Sequence, residues 1–153
     1  PYFGPGIENA MSKEFYELDE TIIKNPEDVD YKRMIEATKE VIKDISDLGK
    51  VLVISRGASA ILKDKENVLR VFFSANEDER VSRAKKMHNL ESDAAALDLL
   101  RHADHAQDEY FMKAFNLDFR DQSMYHLTLN TSNLTPEECS NIILNLSKNK
   151  LTY

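Results

Sequence analysis

The sequence has no tryptophan and one cysteine, Cys139. A single thiol excludes an internal disulfide, and a reducing, cytoplasmic setting is the simplest expectation. Glycine and proline are scarce, four of each in 153 residues, which excludes a collagen-like chain. Four of those eight breakers, Pro1, Gly4, Pro5 and Gly6, fall in the first ten residues. That stretch reads as an irregular leader. No apolar run approaches the roughly 20 residues that cross a bilayer, so no membrane partner is expected. No segment has the charged-then-apolar layout of a secretory signal. The N-x-[ST] triplets at Asn130, Asn133 and Asn145 are then chance matches. Basic charge is also short: 20 Lys and Arg against 27 Asp and Glu give −7 at neutral pH. This argues against a surface built to grip nucleic acid, and leaves room for a small basic pocket holding one nucleotide.

What is there is a globular composition, 42% hydrophobic and 31% charged, long enough for one domain over residues 1–153. A chain opening on Pro1 is expected to have lost at least its initiator Met, and to be either a piece of something longer or a shortened relative. The clearest helix spans residues 31–47. Tyr31, Met34, Ile35, Thr38, Val41, Ile42, Ile45 and Leu48 fall on one stripe at helical spacing. Asp28 or Asp30 can cap its start, and Gly49 can end it. A less regular helix precedes it over residues 10–24, closed by Asn25-Pro26.

Val51–Ile54 is a short, continuous apolar run, the pattern of a strand buried on both faces. Residues 68–75 are a second such run, and 125–130 a third. Asn76 can cap a helix with Glu77, Asp78 and Glu79 in its first turn and Lys85, Lys86 and His88 in its last, an order that suits the helix dipole. A long helix is expected from about Ser92 to Phe115, with Leu97, Leu100, Ala103, Tyr110, Ala114 and Phe115 inward. Thr135-Pro136-Glu137-Glu138 forms a capping box for a final helix whose inner face carries Cys139, Ile142, Ile143 and Leu146. Strands separated by helices imply an α/β fold: a three-layer parallel sheet flanked by helices. Three strands are few for such a sheet.

The common nucleotide-binding and nucleophile motifs are missing from the sequence. G-x-x-x-x-G-K-[ST] does not occur; the one Gly-Lys pair, Gly49-Lys50, precedes a strand-like run and is followed by Val51. G-x-G-x-x-G and G-x-S-x-G do not occur either. Cys139 lies on an apolar helix face and reads as core. Asp98, His102, His105 and Glu109 share one side of a helix, a pattern that a metal or plain solvent would suit. No partner cluster stands elsewhere, and no metal is assigned.

Two basic features remain. Arg80 and Arg83, three apart on one helix face, lead the only basic concentration in the chain, with Lys85 and Lys86 behind them. Guanidinium groups suit phosphate oxygens; a solvated helix end suits the same spacing. Arg56, in Ser55-Arg56-Gly57-Ala58, follows the first strand-like run. Ligands of open α/β sheets bind at that carboxyl edge, and Arg56 is the strongest single functional candidate.

The ordered set VLVISRGASAIL, VLRVFFSANEDERVSRAKK, LLRHADHAQDEYFMKAFNLDF and MYHLTLNTSNLTPEE resembles the cytidylate-kinase-like family of P-loop nucleoside monophosphate kinases, over roughly residues 31–148. The resemblance implies a doubly wound parallel sheet of the P-loop NTPase fold with a mobile lid at about Lys85–Ser92. It implies transfer of the γ-phosphoryl of ATP, with Mg²⁺, to a nucleoside monophosphate such as CMP. It places Arg56 on the acceptor phosphate, Arg80 and Arg83 as catalytic residues at the lid root, and Asp104 at the acceptor. The chain departs from the family by lacking the N-terminal strand and P-loop. Gln107 stands where an Arg is frequent, Tyr125-His126 where Tyr-Asp is common, and Ser55 where Gly precedes the strand-end Arg. Two accounts follow: the acceptor-and-lid portion of a kinase-like protein, inactive alone, or a non-catalytic nucleotide-binding or interaction domain derived from it. A metal-binding helix module using His102 and His105 is a third.

Overall fold

The computed structural model describes residues 29–150. The helix expected over residues 10–24 and the irregular leader lie outside the described residues. The first described helix, α1, runs Val29–Asp47 and buries Tyr31, Ile35 and Ile42. It stops where Gly49 turns into the left-handed region at φ 67°, a conformation glycine enters without steric cost. The expected stripe is only half inward. Val41, Ile45 and Leu48 share one face and are exposed, Leu48 by 79%.

Val51–Ile54 is not a strand. It pairs with neither strand of the sheet, and Leu52 is 81% exposed. Left-handed residues bracket it, Gly49 and Lys50 before and Ser55, Arg56 and Gly57 after. An apolar run shows that side chains call for cover. It does not supply the neighbouring backbone whose hydrogen bonds make a strand. The sheet among the described residues has two strands rather than three, β1 (Val71–Ser74) and β2 (Leu127–Asn130). They are parallel, with Val71 opposite Leu127 and Ser74 opposite Asn130. Parallel pairing is what a long helical crossover requires.

A one-turn helix, α2 (Ala58–Ile61), precedes β1, and the crossover itself holds α3 (Glu77–His88) and α4 (Asp93–Phe115). The acidic first turn and basic last turn of α3 stand as its charges demand. Asn76 sits at its N-cap but gives the helix no side-chain bond. Its Oδ1 accepts instead from Asn130 Nδ2 at 3.1 Å, and its N–H donates to Ser132 Oγ at 2.8 Å. The side chain thus ties β2's end to the start of α3. Ser92 caps α4 by accepting from the Ala95 N–H at 3.2 Å.

Two apolar clusters hold the chain. Val81, Ala84 and the fully buried Ala96 pack α3 on α4, with Leu90, Leu97 and Leu100 around them. The small residues let the two helix backbones approach closely. Ala60, Phe111, Phe119 and Met124 form the other cluster, ringed by Phe72, Tyr110, Phe115 and Tyr125. Phe72 and Tyr125 stack at 4.9 Å and cover one face of the sheet. Arg70 fastens this layer: Nε donates to Met124 O at 2.6 Å and Nη1 to Lys63 O at 2.6 Å. His126, which replaces the residue common in the resembled family, accepts the Arg70 N–H through Nδ1 at 3.0 Å.

Gly57 sits against this cluster. A Cβ there would stand 2.4 Å from the Phe115 ring, at φ 71°. Gly57→Ala is therefore expected to cost about 2 kcal/mol, from strain and overpacking together. Urea unfolding checks it; an unchanged midpoint would contradict the packing described.

The last helix, α5 (Pro136–Lys150), opens on the reciprocal cap its sequence predicts. Thr135 N–H donates to Glu138 Oε2 at 2.7 Å, and Glu138 N–H to Thr135 Oγ1 at 3.2 Å. Cys139 is buried beneath it, whereas Ile142 is exposed. The Thr135 hydrogen bonds hold the Glu138 carboxyl below its ordinary value. A depressed carboxylate contributes stability above its unfolded pKa, and that contribution is lost as pH falls through the folded value. Glu138→Gln is expected to lower the melting temperature at neutral pH and flatten its fall between about pH 5 and pH 3. Parallel melting curves for both proteins across that range test this.

Candidate functional site

The expected site residues lie on three segments around α4. Arg80 is one turn into α3, and α3 begins three residues after β1 ends. Its guanidinium meets Asp104, in the middle of α4, by two parallel bonds: Nη1 to Oδ2 at 2.9 Å and Nη2 to Oδ1 at 2.6 Å. About a third of each side chain is exposed. This two-pronged geometry is the one guanidinium groups use with carboxylate and with phosphate alike. It joins the two helices above their apolar seam.

Arg83 faces another way. Nε donates to Glu79 Oε1 at 2.9 Å, while Nη1 and Nη2 donate to Thr131 Oγ1 and O at 2.8 and 2.7 Å. It thereby ties α3 to the residue that follows β2. It also borders a hollow with Phe73, Leu134 and Cys139. For Arg83 to meet a phosphate, these bonds have to exchange.

Arg56 is exposed and lies in a run of three left-handed residues, Ser55, Arg56 and Gly57, at φ 66°, 56° and 71°. Only glycine enters this region freely; each of the others costs about 1 kcal/mol. Such a run persists where its surroundings fix it. Tyr110 Oη donates to Arg56 O at 3.2 Å, and Gly57 lies under the Phe115 and Tyr110 rings. Both rings belong to α4. One helix therefore carries the Asp104 carboxylate and also fixes the Arg56 backbone. Three of the four expected residues occupy two arrangements: Arg80 with Asp104, and Arg83 with Thr131. Arg56 reaches α4 through its own backbone.

Arg120 has no motif or helical spacing to mark it. It stands in the connection between α4 and β2, bonds to Asp108, and its Nη2 lies 4.0 Å from Asp104 Oδ2. Asp108 could be picked out only as a carboxylate one turn beyond Asp104. The path of the loop that delivers Arg120 has no periodicity to read.

The segment expected to be a lid consists of the last turn of α3 and a short link. Asn89 is left-handed at φ 52°. Leu90 packs onto the α3–α4 seam, and Lys85 Nζ meets Asp93 Oδ1 at 2.6 Å. His102 and His105 face solvent. His102 Nδ1 lies 2.7 Å from Asp98 O, and His105 Nε2 3.9 Å from Glu109. Among the described residues no group of three or more His, Cys, Asp or Glu is placed to hold a metal ion. None of their helices is long and apolar enough to cross a membrane.

The parallel two-stranded layer and its helical crossover make the described residues an α/β protein. The chain matches the profile of the Cytidylate kinase-like family over residues 6–133, and it belongs to that family. No curated protein matches it.

The fork between Arg80 and Asp104 is open to measurement without any ligand. In a double-mutant cycle with Arg80→Ala and Asp104→Asn, a coupling of about 1 kcal/mol in unfolding free energy is expected, the upper end for exposed pairs. Strict additivity would show that the bonds contribute nothing.

Proposed function

We propose that this chain binds a nucleoside monophosphate as the acceptor part of a phosphotransferase of the P-loop NTPase fold. In this reading Arg56, Arg80 and Arg83 neutralise phosphate charge, and Asp104 orients Arg80 and the acceptor. Phosphoryl transfer is mostly positioning and charge neutralisation, so guanidinium groups are the right chemistry. The observation that carries the reading is the Arg80–Asp104 fork, a two-pronged guanidinium held oriented between α3 and α4. Family membership suggests a nucleoside monophosphate in general; a CMP-like acceptor is the proposal.

ATP and Mg²⁺ do not fit the described residues. The 153-residue sequence carries no glycine-rich lysine loop to cradle the donor phosphates, and the described carboxylates form no metal cluster. The chain alone is therefore proposed not to turn over. A second reading, a non-catalytic interaction domain, draws on the exposed apolar run at Val51, Leu52 and Ile54.

Calorimetric titration of the 153-residue chain with CMP, UMP, AMP and GMP separates these. Binding of at least one, weakened about tenfold or more in Arg56→Ala, supports the acceptor reading. A folded chain that binds none favours the interaction domain. ATP-dependent formation of CDP by this chain would refute its proposed inactivity.

A further inference from the structure

We propose that Arg120 is a further acceptor-phosphate residue, an inference that rests on the nucleoside monophosphate reading above. Four contacts fix Arg120, one through its backbone and three through its guanidinium. The Arg120 N–H donates to Asp118 Oδ1 at 2.8 Å, which locks the loop. The guanidinium lies 4.2 Å over the Phe119 ring, and Phe119 is part of the buried aromatic cluster. A planar cation on a fixed ring loses little freedom when it takes up a ligand. One prong bonds to Asp108, and Nη2 stands 4.0 Å from Asp104 Oδ2.

That last oxygen carries the inference. Asp104 Oδ2 also accepts from Arg80 Nη1 at 2.9 Å. A loop guanidinium and an α3 guanidinium thus converge on one carboxylate of α4, and both keep more than a third of their side chain open to solvent. Two cations and two carboxylates balance with nothing bound. A phosphate dianion offers three oxygens in place of one carboxylate edge, and both guanidinium forks can turn to it. Asp108 is the group it displaces. Gln107, one helical turn from Asp104, is uncharged at neutral pH, so the second cation beside Asp104 comes from Arg120 instead.

The roles predict opposite signs. Arg120→Ala removes a phosphate contact; Asp108→Asn removes the carboxylate that competes for it. In titrations of the full 153-residue chain with CMP, and with UMP, AMP and GMP in parallel, Arg120→Ala is expected to weaken the bound nucleotide about tenfold. Arg120→Lys, which keeps the charge and loses the fork, is expected to fall between. Asp108→Asn is expected to tighten binding about threefold. Binding of the corresponding nucleoside, which has no phosphate, is expected to stay unchanged in all three. Melting curves establish that each variant is folded. An Arg120→Ala chain that binds nucleotide like wild type, while Arg56→Ala does not, overturns the role of Arg120 and leaves the acceptor reading standing. Equal losses for nucleotide and nucleoside, or weaker binding in Asp108→Asn, make Arg120 a structural residue and also overturn it. A wild-type chain that binds none of the four nucleotides removes both.

Discussion

Helix α4 has to satisfy two demands along one length. Tyr110, Phe111 and Phe115 pack into the aromatic cluster beneath the sheet, while Asp104 and Asp108 meet guanidinium groups from α3 and from the loop before β2. Asp104, Asp108, Phe111 and Phe115 recur at spacings of four, three and four, so they share one face, with the carboxylates towards the middle of the helix and the rings at its C-terminal end. The aromatic end fixes where the helix lies; the carboxylates upstream inherit that placement. Gly57 is where the two demands touch. Its lack of a Cβ admits the Phe115 ring, and the same left-handed run carries Arg56.

Three of the guanidinium groups are already bonded within the chain. Arg80 is held by Asp104, Arg83 by Glu79 and Thr131, and Arg120 by Asp108. Partly exposed pairs of this kind contribute little to folding, because water screens them and the long side chains lose freedom. Their consequence is orientation. A guanidinium already extended and coplanar with a carboxylate exchanges partners for a phosphate with little further loss of freedom. In an acidic chain this gives local positive capacity without a broad basic surface.

Much of the frame was legible in the sequence, and the reasons are local. The Thr135–Glu138 cap depends on four consecutive residues, and α1 begins within two residues of the start its periodicity predicts. The parallel pairing of β1 and β2 follows from the helices between them. What failed depends on partners distant in the chain. Val51–Ile54 has the side chains of a buried strand, yet no described backbone lies beside it to complete a ladder. Asn76 has the residue type of a cap, but Asn130 takes its oxygen. In the site, Arg80 and Asp104 were readable as candidates, though not their mutual bond. Arg120 was not readable at all, because a loop sets its position.

The central claim is the proposal that Arg80, bonded to α4, and Arg56, whose backbone α4 holds, receive an anionic nucleotide. Arginine side-chain NMR tests it most directly, by following the Nε–Hε signals of the 153-residue chain as CMP is added. The account predicts that the signals of Arg56 and Arg80 move together and saturate at one concentration, while that of Arg70, committed to Met124 O, stays in place. CMP binding that leaves the Arg56 and Arg80 signals unmoved would contradict it.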